Sequence, residues 1–376
     1  MKITKISVYQ VPLPAKPMTA IKDDFGTFQD YSGIVVVVET DAGFTGLGEV
    51  CTIGTHYMRG FAEGAAAGIP LLARHLIGED PFHAERLNRY WDKIFRDDLY
   101  IKAPLDIALW DIMGQATGRP VCDLLGGRYD GEGPLYRSVY FPPHKQARPA
   151  DIVACCLEAR QNGFKHFQLK PGKAAVRTID DEIAQIEAVA DIKQPHETIL
   201  VDANTNWTLT EAIRAANALK DLPVIIEQPC RTWEECIAFR RQCVLPVKLD
   251  ELIETPQDLI RGFEAGAMDI VAIKIARVGG LTKARKMRDL ALDLGITVVP
   301  DDAWGSQIVS SSLLHFAAST DPKYRLCYTD LTDYVDAMTA DGYPERVDGS
   351  IAASSAPGLG LTLRPDAVGE PIAVIT

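Results

Sequence analysis

From residue 133 onward, short apolar runs alternate with stretches of helical periodicity. The runs predict strands at 134–141, 166–170, 199–202, 224–227, 246–250, 270–274, 297–302 and 325–330. The helix starts between them are legible. Thr208 with Glu211 and Thr232 with Glu235 form capping boxes, and Thr255 is followed by Pro256 at the first helical position. Gly163, Gly266 and Gly295 fall just before the next strand, where a helix ends on a left-handed residue. Strands alternating with helices imply parallel pairing through right-handed crossovers, and eight such units imply a closed barrel. The rival, an open doubly wound sheet, calls for G-x-G-x-x-G after its first strand, and the chain has none.

The first 130 residues follow a different pattern. Residues 1–9 alternate apolar and polar like a half-buried strand, unlike a signal peptide. Runs at 34–39 and 45–49, joined by Asp41-Ala42-Gly43, predict a meander, and 106–116 predicts a helix. This reads as a separate α+β domain at 1–130, with the barrel at 131–345. The tail, 346–376, is expected to complete the first domain, its strand character returning at 358–363.

Composition narrows the partners. The 376 residues are 47% hydrophobic and 24% charged, which is enough for a sizeable core. A formal net charge of −12 argues against nucleic acid and against an anionic membrane. No apolar run approaches the roughly 18–20 residues that span a bilayer. The eight cysteines contain no C-x-x-C, Cys155 and Cys156 fall on a predicted helix, and no two of the seven histidines stand four apart. Free thiols in a cytoplasmic protein are expected, rather than zinc or disulfides.

The chemistry gathers at the strand ends. Lys170, Asp202, Glu227, Asp250, Lys274 and Asp302 close predicted strands two to seven. In a β/α barrel those carboxyl ends surround the mouth where active sites lie. Three carboxylates on adjacent strands repel one another unless a cation sits among them. An all-oxygen set suits Mg²⁺, with Mn²⁺ as a substitute, better than a crowded Ca²⁺ cage. The alternative is that each acid caps the next helix, but those helices already own Thr208, Thr232 and Thr255. Strands two and six stand opposite each other, so Lys170 and Lys274 are expected to face one another across the metal arc. A nearby dication would depress the lysine pKa and let it act as a base. Such a site can bind a substrate carboxylate, remove the α-proton through an enediolate, and reprotonate the opposite face or release a β-group.

The segments FQLK (167–170), VDAN (201–204), IEQP (226–229), KLDE (248–251) and IKIARVGG (273–280) together resemble the enolase superfamily, in its muconate-lactonizing-enzyme subgroup. The resemblance spans essentially the whole chain. It implies a (β/α)7β modified TIM barrel with an N-terminal α+β capping domain whose loops close the pocket. It also implies Asp202, Glu227 and Asp250 as Mg²⁺ ligands and Lys170 and Lys274 as the acid/base pair. Gln168, Asn204 and Glu251 would support these groups from behind. The subgroup often has K-x-K on strand two; here Gln168 replaces the first lysine, so one positive neighbour is missing. Asp301-Asp302 stands where mandelate-type racemases and many sugar-acid dehydratases carry a histidine, which makes those activities less expected.

Substrate signals are thinner. PDDAWGS (300–306) resembles members that epimerise proline betaines or dehydrate and epimerise cis-3-hydroxyproline. Asp302 by charge and Trp304 by cation–π contact would suit a cationic nitrogen. The bland alternatives are that Trp304 packs against the capping domain and that Asp302 partners Lys274. Loop residues Phe25, Phe28, Tyr31, His56 and Tyr57 are expected to line the pocket, with Tyr57 touching substrate. A small-molecule carboxylate as substrate and a homo-oligomeric assembly are expected. Asp330-Leu-Thr-Asp333 partly matches the Asp-x-Asp of dipeptide epimerases, which stays open. Muconate cycloisomerase and succinylbenzoate synthase activities give no role to Asp302 and Trp304. A catalytically silent Mg²⁺-binding scaffold would be expected to keep the barrel but lose a base, and this chain keeps both lysines and all three acids.

Overall fold

Ile3–Pro14 pairs antiparallel with Asp30–Thr40, which pairs antiparallel with Thr45–Cys51. The computed structural model describes residues 1–16, 21–23, 26–28, 30–54, 57, 59–129, 132–140, 148–171 and 178–376. Phe25 and His56 lie outside the described residues, and Phe28 is described only through the backbone of strand Gly26–Phe28. The meander turns at 41–43, as its sequence implies. Helix Leu99–Thr117 lies across the sheet and is buried all round between Tyr100 and Gly114. That closeness explains two glycines. A Cβ on Gly46 would stand 2.2 Å from the Ala108 carbonyl oxygen, and one on Gly48 would stand 1.8 Å from that of Pro104. Only glycine lets helix and strand backbones approach so closely.

The chain's end returns to this sheet, though not where expected. Ala373–Ile375 pairs with Ile3–Pro14 to give a four-stranded sheet. The earlier segment instead pairs as Thr362–Leu363 with Ala340–Asp341, while Gly358 bridges back to Pro120 and Leu359 N–H donates to Asp111.

The barrel strands are Tyr136–Tyr140, His166–Lys170, Thr198–Asp202, Val224–Glu227, Val247–Leu249, Ile270–Lys274 and Thr297–Asp301, parallel and hydrogen-bonded in that order. The eighth position differs from expectation. No continuous strand spans 325–330; residues 324–328 instead bridge strands seven and one. Val298 N–H donates to Tyr324 O at 2.6 Å, and Tyr136 N–H donates to Tyr328 O at 2.9 Å. The barrel therefore closes as a (β/α)7β form. The capping boxes at Thr208, Thr232 and Thr255 all form, and Gly163, Gly266 and Gly295 all take positive φ. A further capping box at Thr178 joins them.

Alternation along the strands sorts the barrel interior. Tyr136, Leu200, Ile270, Val299 and Cys327 pack together as a small apolar plug. Because side chains on a strand repeat every two residues, positions two further on point the same way. From Leu200, Ile270 and Val299 that rule leads to Asp202, Lys274 (two steps on) and Asp301. All eight cysteines are free thiols, with Cys155 exposed and the rest buried. Among the described residues no helix is long and apolar enough to cross a membrane.

Candidate active site

Asp202 and Glu227 are register partners on barrel strands three and four, and Asp250 follows strand five directly. All three are essentially fully buried, at 0, 0 and 1% exposure. Each carboxylate has a protein cation against it. Lys170 pairs with Asp202, Lys248 Nζ lies 2.8 Å from Glu227 Oε1, and Arg277 pairs with Asp250 while also donating to its carbonyl at 2.9 Å.

The supporting contacts are specific. Asn204 donates its backbone N–H to Asp202 Oδ1 and its side-chain amide to Oδ2, both at 2.9 Å, and reaches Glu251 Oε1 at 3.1 Å. Asn204 holds φ of 45° to do so, a conformation Asn tolerates better than most residues. Gln168 donates to Glu227 Oε2 at 2.9 Å and accepts from the Ser138 hydroxyl at 2.8 Å. The charge that Gln168 lacks is thus supplied by Lys248, one strand beyond Glu227.

Lys274 stands four strands from Lys170, on the opposite side of the mouth. Its ammonium lies 2.7 Å from Asp301 Oδ2, 3.5 Å from Asp250 Oδ2, and donates to the Asp302 carbonyl at 3.2 Å. Burial pushes Lys274 down, but Asp250 and Asp301 outweigh it and hold the ammonium above its ordinary value. Burial also lifts Asp250, yet Arg277, Lys274 and Lys248 hold it well below the usual carboxylate range. Burial and the Asp202 charge raise Glu227 to about 7, and burial with Asp250 raises Glu251 to about 8.

Two expected contacts have moved. Strand seven ends at Asp301, not Asp302, and it is Asp301 that faces Lys274 while accepting from the Tyr136 hydroxyl at 2.9 Å. Asp302 is one residue out of phase with the interior. Its carboxylate accepts from Ala276 N–H at 3.0 Å and Ala303 N–H at 2.7 Å, and burial raises it to about 7. Trp304 is 2% exposed, its ring 5.0 Å from that of Tyr31 and 5.5 Å from that of Tyr334. Packing, the blander alternative, is what the structure displays there. Tyr57 does reach the site: its hydroxyl donates to Asp250 Oδ2 at 3.1 Å and its ring lies 5.8 Å from Lys274 Nζ. Asp330 caps the turn Leu331–Asp333, and Asp333 pairs with Arg137 and Arg346, so the Asp-x-Asp reading finds both acids engaged.

Among the described residues, no three His, Cys, Asp or Glu side chains are already drawn together at metal-ligand distance, each acid being turned toward its own cation. The donor set nonetheless fits a hard divalent ion. It is all oxygen, comes from neighbouring strands, and is bordered by buried oxygens without a hydrogen-bond partner on Asn204 (Oδ1) and Glu251 (Oε2). The interior roles of Lys248, Arg277 and Asp301 escaped a reading confined to last strand residues; alternation places Lys248 two residues before Asp250, on the same face.

The profile described as mandelate racemase / muconate lactonizing enzyme, N-terminal domain, matches residues 3–126, and that described as enolase C-terminal domain-like matches 151–367. The chain belongs to the enolase superfamily, in its muconate-lactonizing-enzyme subgroup. It is 41% identical over 374 residues to a cis-3-hydroxy-L-proline dehydratase of Roseibium aggregatum, covering 99% of both chains. It is 28% identical to an N-succinyl-L-Arg/Lys racemase of Bacillus cereus, covering 98% of both. A mandelate racemase/muconate lactonizing enzyme structure from Roseovarius nubinhibens, complexed with magnesium, superposes with a TM-score of 0.93 at 33% identity, over 100% of this chain and 99% of that one. These relatives are racemases, epimerases and dehydratases, and this member of the superfamily is an enzyme of that isomerase and lyase kind.

Proposed function

We propose that this enzyme removes the proton α to the carboxylate of a proline-type amino acid, dehydrating cis-3-hydroxyproline and exchanging or epimerising analogues that lack the 3-hydroxyl. The observation that carries this reading is the pair of lysines on opposed strands, Lys274 buried and Lys170 partly exposed, with three carboxylates on the arc between them. The likeness to the dehydratase directs it toward a cyclic amino acid.

Asp202, Glu227 and Asp250 would hold Mg²⁺, which when bound supplies positive charge to offset the second negative charge building on the substrate carboxylate. The protein's own part is proton handling. Lys170 is placed to take the α-proton from one face. Lys274, ion-paired with Asp301 at 2.7 Å, is placed to deliver a proton on the other. With a β-hydroxyl present, the Cα–H electron pair forms the Cα–Cβ double bond, the Cβ–O bond breaks, and the hydroxyl leaves as water with the delivered proton. The enamine then tautomerises to a cyclic imine. Without a leaving group the proton is returned to Cα, on the same face or the other. Tyr57, on the capping-domain side, would border the substrate, with Trp304 packed behind against Tyr31 and Tyr334 and Asp302 acting through the backbone of Ala276.

The test is incubation of cis-3-hydroxy-L-proline and of L-proline with the magnesium-supplied enzyme in D2O, followed by mass spectrometry and NMR. The expected results are loss of one water from the first and α-deuterium in the second. If neither compound reacts while an N-acylated amino acid or a dipeptide exchanges, the proline-type assignment is wrong.

A further inference from the structure

Glu49 ends the run Gly46-Leu47-Gly48-Glu49 in the last strand of the capping sheet and is completely buried. A buried carboxylate needs donors, and those found for Glu49 come from the barrel domain. Ser306 N–H lies 3.0 and 3.1 Å from its two oxygens, the Ser306 hydroxyl donates at 2.8 Å, and Val309 N–H donates at 3.1 Å. Ser306 is the N-cap of helix Gln307–Ala318, yet its own side chain makes no capping bond. Glu49 does that work from 257 residues away in sequence, placing a carboxylate where the free amides and the helix dipole favour it.

The joint continues toward the chemistry. Cys51, two residues after Glu49, bridges antiparallel to Trp304. Capping-domain residues 49–51 therefore lie along 304–306, the segment that follows strand seven. At the other end of that segment, Asp301 Oδ2 and the Asp302 carbonyl hold the Lys274 ammonium, and the Asp302 carboxylate fixes Ala276, two residues beyond Lys274. Lys170 is held by Asp202, on strand three. Two other buried acids of the capping domain make similar joints elsewhere. Asp106 accepts from Thr282 N–H at 2.8 Å, at the start of helix Leu281–Asp293, and Asp111 accepts from Leu47 N–H at 2.9 Å and Leu359 N–H at 2.8 Å.

We propose that Glu49 is a positioning residue for Lys274. By capping helix Gln307–Ala318 across the domain junction, it fixes segment 301–306 and so aims the ammonium at one face of the substrate, leaving the Lys170 face independent. This rests on the two-lysine reading above. Its consequence is asymmetric, which a general packing role would not be.

The experiment follows α-hydrogen exchange in D2O for each enantiomer of proline, with the faces assigned by Lys170→Ala and Lys274→Ala. Glu49→Gln keeps the size but sets an amide donor against amide donors. Exchange through the Lys274 face should fall about tenfold or more while the Lys170 face changes less than about twofold, since misplacement by about 1 Å costs that much or more. Backbone hydrogen exchange should show lost protection at Ser306 and Val309. Asp111→Asn should lower the melting temperature without splitting the faces. Should Glu49→Gln fail to fold, Ser306→Ala, which removes the hydroxyl contacts to Glu49 and Thr339 but keeps the backbone ones, should give a smaller split of the same sense. Equal loss on both faces, or no loss on either, overturns the role of Glu49. A wild-type enzyme that exchanges neither face overturns the two-lysine reading itself.

Discussion

Replacing Lys248 with methionine would leave Glu227 buried without its countercharge. Both side chains are 0% exposed and their charged atoms are 2.8 Å apart. At an effective dielectric of about 20, the Coulomb attraction at that distance is about 6 kcal/mol. Much of it offsets desolvation, and removing one partner of such a pair typically costs about 3–5 kcal/mol, because the remaining charge stays buried. At about 2.1 cal/mol/K per residue, the 376-residue chain has an unfolding entropy near 0.8 kcal/mol/K, so the loss corresponds to a drop of about 4–6 °C. Thermal scans in chelator should show that drop. Scans with added magnesium should show a larger gain for the variant than for the wild type, because the metal replaces the missing positive charge beside Glu227. Equal melting temperatures in chelator would refute the claim that Lys248 is the standing counterion of Glu227. An equal magnesium gain in both proteins would refute the claim that Glu227 belongs to the metal's donor set.

Asp202→Asn, Glu227→Gln and Asp250→Asn should each abolish turnover while leaving circular dichroism unchanged; full activity of any of them, or of the wild type in excess chelator, would remove the metal from the account. Tyr57→Ala should shift preference among proline analogues more than it shifts melting temperature, and the reverse outcome would make Tyr57 a packing residue. Burial lifts Asp111 from 3.8 to about 6 against the pull of the Leu359 and Leu47 amides, so the folded protein binds that proton more tightly than the unfolded chain. Relative to Asp111→Asn, the wild type should therefore be most stable below about pH 4 and lose up to about 3 kcal/mol as pH rises through about 6, levelling off above about pH 7. Urea midpoints of both proteins across that range test it, and a constant difference would contradict the burial argument.

The barrel was legible because its local signals agree. Strand 166–170 runs between Gly163 and the capping box at Thr178, 224–227 leads to the box at Thr232 and 270–274 follows Gly266, and His166–Lys170, Val224–Glu227 and Ile270–Lys274 coincide with the expected runs. The carboxylate arc and the lysine pair followed from reading strand ends. What escaped depends on phase or on distant partners. Asp302 sits beside Asp301 in sequence, and only the two-residue alternation starting from Val299 tells which of them faces Lys274. Lys248 reads as a surface lysine until Glu227 on the neighbouring strand is known to lie 2.8 Å away. The eighth strand, expected at 325–330, is realised as isolated bridges to strands one and seven within 324–328 rather than as a continuous ladder, a difference set by those distant partners. Glu49 looks like any acid ending an exposed-edge strand until helix Gln307–Ala318 is folded against it.

The central claim, two lysines serving opposite faces of one α-carbon, is tested most directly by deuterium wash-in at Cα, followed by NMR, for each proline enantiomer with Lys170→Ala and with Lys274→Ala. The account predicts that each variant retains exchange for one enantiomer and loses it for the other, in opposite senses, while neither interconverts them. If one variant lost exchange from both faces and the other lost neither, a one-base lyase or cycloisomerase would replace the two-base site.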